Sequence, residues 1–185
     1  MSKGNLFVIS GASGVGKSTV LDIVMKTRKD LLFSVSATTR APRPGETDGV
    51  NYYFIERARF LEMIQNGEFL EYDEHHETLY GTPVGQLEDK LKRGHVILDI
   101  DPNGAFQVRK KRPDATLIFV MPPSMEALET RLRGRGDTSP EQVAIRLERA
   151  KWEMEQSAKY DYTVVNDRTT DCADAVLKII ANVAD

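Results

Sequence analysis

The sequence predicts an α/β fold: a parallel β-sheet flanked by helices and interrupted by a small β-rich insertion. Four short apolar runs, LFVIS (6–10), HVILDID (95–101), TLIFVM (116–121) and YTVVND (162–167), lack polar alternation, as strands buried on both faces do. Helical patterns separate them, and strands alternating with helices build a parallel sheet. The third observation is a glycine-rich turn, GASGVGKS (11–18), set between the first run and a helical stretch.

Taken in order, the first strand is LFVIS, and the glycine-rich turn leads out of it into a helix. The middle third, about 34–83, changes character. SVSATT, NYYFI and FLEYDEHH read as short strands, and RARFLEMIQNG as one helix ending at Gly67. HVILDID returns to the parallel sheet, with Asp99 and Asp101 two apart and so directed to one face. TLIFVM follows. After Ser124 a helical pattern runs to RLRGRGDTSPEQ, where glycines and Pro140 break it ahead of a long helix striped by Val143, Leu147, Ala150 and Met154. That break reads as a mobile loop, eased by Gly134 and Gly136. YTVVND is the last strand, and Ala173, Val176, Leu177 and Ile180 recur at helical spacing in the closing segment. No repeat, low-complexity tract or Ser/Gly-rich linker divides the chain, so one domain over 1–185 is expected.

The totals exclude several classes. With 185 residues, 41% hydrophobic and 29% charged, the chain should bury a core. A formal charge of −3 argues against a nucleic-acid polymer or an anionic membrane as partner, so any arginine cluster is local. The apolar run Leu6–Ile9 is too short for a signal peptide or a membrane span, and no membrane role is expected. The lone Cys172 makes no intramolecular disulfide, which fits a reducing compartment and a cytoplasmic location. His75 and His76 are adjacent, hence on opposite faces of a strand, and a histidine metal centre is not expected. Oligomeric state is not legible, and a homo-oligomer stays open.

GASGVGKS fits G-x-x-x-x-G-K-[ST] and stands where that motif works, after a strand and at the start of a helix. Its glycines let several backbone N–H groups converge, and the helix N-terminus adds favourable partial charge for phosphate. Gly11, Ala12, Ser13, Gly14, Val15, Gly16, Lys17, Ser18 and Thr19 form the expected cradle for a nucleoside triphosphate. Lys17 reaches the β- and γ-phosphates, and Ser18 helps hold Mg²⁺. The motif is shared by ATPases, GTPases and kinases and does not say which reaction follows.

A phosphoryl transferase must also bind an acceptor. SVSATTRAPRPGE (34–46) supplies Arg40 and Arg43, whose planar forks suit a phosphate, with Pro42 and Pro44 stiffening the chain and Ser36 and Thr39 placed to donate. A solvated basic turn is the plain alternative. EFLEY then places Glu71 in a strand, and ETLYGTP supplies Tyr80 and Thr82. A carboxylate can accept both the N1–H and the 2-amino group of guanine, whereas adenine meets it with a lone pair at N1.

Together, GASGVGKST, SVSATTRAPRPGE, NYYF, FLEY, YGTP, LDID, MPPS, RLRGRG and VVND resemble the bacterial guanylate kinases, in the family's order and over nearly the whole chain. The resemblance implies a P-loop NTPase core (about 1–33, 84–125 and 158–185) carrying a GMP-binding insertion (about 34–83) and a helical lid (about 126–157). It implies transfer of the ATP γ-phosphoryl group to GMP, with dGMP as a further expected acceptor. It assigns the GMP phosphate to Ser36, Arg40, Arg43, Tyr52 and Tyr80, and the base to Glu71 and Thr82 with help from Asp101. Asp99 reaches Mg²⁺ through water, or alternatively caps the next turn. Arg131, Arg135 and Arg146 join Lys17 and Arg40 in neutralising the transferred group, Arg133 stays exposed, and Asn166 lies at the adenine end. Ala12, Asn103 and Arg168 depart from the family's usual proline, glutamine and aspartate. A domain that only binds protein partners would have lost these phosphate ligands. DPNG fits the D-x-x-G of GTPases, but the N-K-x-D guanine motif is missing.

Overall fold

The computed structural model describes residues 4–75, 77–134 and 139–184. His76, Arg135 and Gly136 therefore lie outside the described residues. Strands β1 (Leu6–Gly11), β2 (Leu31–Phe33), β7 (His95–Asp99), β8 (Thr116–Met121) and β9 (Tyr162–Val165) form a five-stranded parallel sheet in the order β2-β7-β1-β8-β9. The central strand β1 is buried at all six positions. Its uninterrupted apolar run is thus the sequence counterpart of having neighbours on both edges and helices on both faces.

Helices α1 (Lys17–Thr27) and α7 (Thr169–Ala184) cover one face, where Phe7, Ile9, Val20, Val24, Ile118, Val176 and Ile180 share a core. Helices α3 (Val84–Leu91) and α4 (Pro102–Lys111) cover the other, packing Leu87, Leu91, Ala105 and Val108 on Leu6, Val8, Val96, Leu98 and Leu117. Odd and even residues of β1 thereby enter different cores, as the strand's alternation requires. Helices α5 (Met125–Arg133) and α6 (Pro140–Glu155) extend the first core through Leu128, Leu132, Val143 and Ala150. Helix α6 opens on a capping box, with Ser139 and Gln142 each accepting from the other's backbone. A short 3₁₀ turn, Gln156–Lys159, ends it. No helix among the described residues is long and apolar enough to cross a membrane.

The middle third forms a separate four-stranded sheet in the order β4-β3-β6-β5: β3 (Ala37–Thr38), β4 (Tyr53–Phe54), β5 (Phe69–His75) and β6 (Thr78–Pro83). The expected strands in SVSATT and NYYFI shrink to two residues each, and TLYGTP is a six-residue strand. Helix α2 (Arg57–Gln65) closes this layer, burying Phe60 against Phe69 at a ring separation of 4.3 Å. Among the described residues, its core is the buried cluster Ala37, Phe60, Phe69 and Leu79. Phe60→Ala is therefore expected to cost about 3–5 kcal/mol. Amide exchange should accelerate in β5 and β6 while β1 and β8 stay protected; uniform acceleration in both sheets would contradict a separate insertion core.

Candidate active site

Strand β1 delivers the chain to a loop over Ala12–Gly16, and α1 begins at Lys17. Gly14 and Gly16 have φ of 88° and 91°, a left-handed conformation that a side chain would strain. A Cβ on Gly16 would also stand 2.9 Å from Asn166 Nδ2. Gly16 is the N-cap of α1 without a side-chain cap, so the first-turn N–H groups face an anion site. The loop opens into a cavity of about 920 Å³, lined by all of Gly11–Thr19 together with Arg43, Asp101, Arg146, Arg149 and Glu153. Its size suits a nucleotide.

Four neighbours hold the loop from outside. Asn166, buried, donates from Nδ2 to the Val15 carbonyl at 2.8 Å, and Arg131 donates to the same carbonyl at 3.2 Å. Glu153, 4% exposed, accepts the Ser13 N–H at 2.8 Å. Arg146 also reaches the loop, donating from Nε to Ser13 Oγ at 3.3 Å. Among the expected lid arginines, Arg131 and Arg146 thus converge on the loop, whereas Arg133 is exposed and pairs with Glu129. Arg168, the departure near the last strand, is exposed and turned toward Asp171 of α7.

A second cavity, about 230 Å³, adjoins the first and is lined by Ser36, Tyr52, Glu71, Asp73, Tyr80, Asp99, Asp101 and Arg149. Glu71 and Thr82 face each other across β5 and β6, and the buried Thr82 hydroxyl donates to Glu71 Oε1 at 2.6 Å. Burial, with Asp101 and Asp73 adding like charge, pushes the Glu71 carboxyl up to about 7 despite the Thr82 bond. Gly104 permits this approach, since a Cβ there would meet Glu71 Oε2 at 2.7 Å. Strand β7 ends at Asp99, so the two aspartates are not strand neighbours: Asp99 pairs with Lys17, and Asp101 is the N-cap of α4, accepting the Gly104 N–H. The turn-capping role entertained for Asp99 falls to Asp101.

The arginine pair divides. Arg43 faces the larger cavity, while Arg40 lies with its guanidinium 5.0 Å from the Tyr52 ring centroid. Both ends of the Arg40 fork donate to Glu46 at 2.6 Å, and Glu46 also accepts the Arg43 N–H at 2.8 Å. These bonds hold the Glu46 carboxyl down at about 2. Thr39 accepts the Leu79 N–H across the sheet, which leaves its hydroxyl proton to donate. A third space of about 260 Å³ joins the other two, because Ser18 lines it with the first cavity, and Asp99, Ser36 and Tyr52 line it with the second.

Sequence reasoning missed Glu46, Arg149 and Glu153. Glu46 closes the very stretch that supplied the arginines. Glu153 is buried beside the apolar stripe of α6, three residues after Ala150, a carboxylate where packing alone would place a hydrophobe.

The comparisons with known proteins agree with this layout. The family model described as Guanylate kinase matches residues 3–183. A guanylate kinase of Thermus thermophilus is 50% identical over 166 residues, covering 89% of this chain and 75% of the relative. That of Streptococcus thermophilus is 48% identical over 180 residues, 96% of this chain and 86% of the relative. Among solved structures, the crystal structure of guanylate kinase from Anaplasma phagocytophilum superposes with a TM-score of 0.80 at 34% identity, over 99% of this chain and 87% of that one. Sequence, fold and the paired cavities lead to one conclusion: this chain belongs to the guanylate kinase family.

Proposed function

We propose that the protein transfers the γ-phosphoryl group of ATP to GMP, giving ADP and GDP, and accepts dGMP by the same contacts. The observation that carries this is the pair of adjoining cavities, one opening on the phosphate loop and the other on a buried carboxylate held by Thr82. In this reading the core, the acceptor insertion (about 34–83) and the lid (about 126–157) bring two nucleotides together end to end. Gly11–Thr19 cradle the ATP phosphates, Asn166 supports the loop toward the adenine end, and Lys17 neutralises charge at the β- and γ-phosphates. Ser36, Tyr52 and Tyr80 donate to the GMP phosphate beside Arg40 and Arg43, and Glu71 reads the guanine edge with Thr82 and Asp101.

The GMP phosphate is already an anionic nucleophile, so alignment and charge neutralisation suffice without a general base. Lys17, Arg40, Arg131, Arg135 and Arg146 supply that neutralisation. The Arg40 fork is held by Glu46 and the Ala41 carbonyl, so an incoming phosphate competes with these partners for its N–H groups. Ser18 and Asp99 line one space and offer hard oxygen donors, which suits Mg²⁺, an ion that keeps waters and phosphate oxygens as its remaining ligands. When bound with ATP, the ion supplies further charge neutralisation at the phosphates. The lone, buried Cys172 fits a cytoplasmic place of action.

Coupled measurement of ADP formation with GMP, AMP, UMP and CMP as acceptors tests the proposal. GMP should dominate; equal turnover with AMP would sink the guanine assignment. A pH dependence follows from Glu71. Guanine binds the ionised carboxylate, so with a free-state value of about 7 GMP affinity should fall as pH drops below 7, by up to about tenfold per unit. Calorimetry at pH 5.5–8 in buffers of different ionisation enthalpy should show a proton released on binding. The phosphate of GMP also titrates near pH 6; Glu71→Gln should abolish the Glu71 contribution and leave that of the phosphate.

A further inference from the structure

Four hydrogen bonds run without a break from the phosphate loop to the wall of the acceptor cavity. The Ser13 N–H donates to Glu153 Oε2 at 2.8 Å, and Arg149 Nε donates to Glu153 Oε1 at 3.0 Å. Arg149 Nη2 donates to Asp101 Oδ2 at 3.3 Å, and Asp101 Oδ1 accepts the Gly104 N–H at 2.9 Å. Gly104 is the residue against which the Glu71 carboxylate rests. Arg149 and Glu153 are one turn apart on α6, and Arg149 lines both substrate cavities.

We propose that Arg149 is a positioning residue that couples acceptor binding to donor binding, an inference that rests on the function proposed above. Its guanidinium reaches Asp101 only when α6 lies over the ends of β1 and β7, and the same placement seats Glu153 on Ser13. Glu153 is 4% exposed, so away from Ser13 and Arg149 its carboxylate would be left poorly satisfied. The helix therefore has a favoured seat defined from both ends. GMP ordering the Glu71–Asp101 wall favours that seat, and the seat holds the phosphate loop as ATP needs it. By linkage, a donor that orders the loop strengthens GMP binding by the same factor.

The test measures GMP affinity by calorimetry, alone and with a saturating non-hydrolysable β,γ-imido analogue of ATP with Mg²⁺. The unaltered protein should bind GMP at least about fivefold more tightly when the analogue is present, and the analogue should gain equally from GMP. In Arg149→Met the ratio should fall to within about twofold of one, while each ligand alone binds within about threefold of the unaltered protein. Glu153→Gln leaves one acceptor oxygen where two are used, so it breaks the same path at Ser13 or at Arg149 and should give the same loss, which guards against a folding defect peculiar to one variant. Arg149→Lys can contact one carboxylate at a time and should keep part of the coupling. The single tryptophan, Trp152 on α6, faces Asp73, Glu74 and Asn103 across a small cleft shared with Arg149, so its emission follows the seating of the helix. A ratio in Arg149→Met equal to that of the unaltered protein overturns the proposal. So does a loss of about tenfold or more in analogue affinity alone, which would make Arg149 a direct phosphate ligand. GMP binding without coupling in the unaltered protein overturns the inference alone, whereas no GMP binding overturns the acceptor assignment and the inference with it.

Discussion

Lys17→Ala is expected to lower the rate of phosphoryl transfer by about a hundredfold to a thousandfold, with GMP affinity nearly unchanged. Lys17 opens α1 directly after the left-handed Gly16, so its stem rises from the same turn whose N–H groups converge on the anion site. Its ammonium pairs with Asp99, and both side chains remain partly exposed at 19% and 26%. That exposure separates function from stability: removing the ammonium leaves no deeply buried charge, and the thermal midpoint should move by only a few degrees, on the order of 1 kcal/mol. The loss should fall on kcat, because charge on the transferred group is greatest in the transition state. Steady-state ADP release with saturating GMP, set beside GMP affinity by calorimetry, checks both halves. A fall in kcat below about fivefold would remove Lys17 from the chemistry.

How much of this was legible in the sequence depended on whether a residue's partners are local. β1 and β8 were plain, because full burial forces an unbroken apolar run. β2 was not: it is three residues long, lies at the sheet edge, and its burial runs from buried Leu31 to exposed Phe33. β6 was hidden by Gly81 and Pro83, turn-formers in isolation that here sit in a paired strand. The phosphate loop was legible because its chemistry is written in consecutive residues. Glu71 and Thr82 were named from their chemistry, yet their mutual hydrogen bond depends on a register between strands that no local pattern specifies. Arg149 and Glu153 lie further out still. Spacing places them on one helical face but cannot say that the face meets Ser13 and Asp101, residues 140 and 48 positions away in the chain.

Glu71→Gln should lower kcat/KM for GMP on the order of 10³-fold while making the folded protein more stable above pH 7. The first effect follows from replacing a carboxylate that accepts two donors by an amide that accepts one and confronts the other with its own N–H. Two charge-assisted bonds at roughly 1.5–3 kcal/mol each set the scale. The second follows from linkage. The Glu71 carboxyl titrates at about 7 in the folded chain against an ordinary 4.5, so the folded state holds a proton between those values that the unfolded state has released. Stability tied to that proton is fully present below pH 4.5 and is lost as pH rises through 7, a difference of roughly 3 kcal/mol that the uncharged amide does not suffer. Glu71 is therefore a charge kept in a place where it weakens the fold, and guanine's paired donors give it a use. Urea denaturation of both proteins at pH 5 and pH 8 should show a small advantage of the variant at pH 5 and a much larger one at pH 8. Acceptor kinetics should show the GMP loss, with AMP gaining relative to GMP because the amide N–H can donate to adenine's N1, which a carboxylate cannot. A variant that kept full GMP activity, or one no more stable at pH 8, would mean that this carboxylate neither reads the base nor carries its charge at a cost.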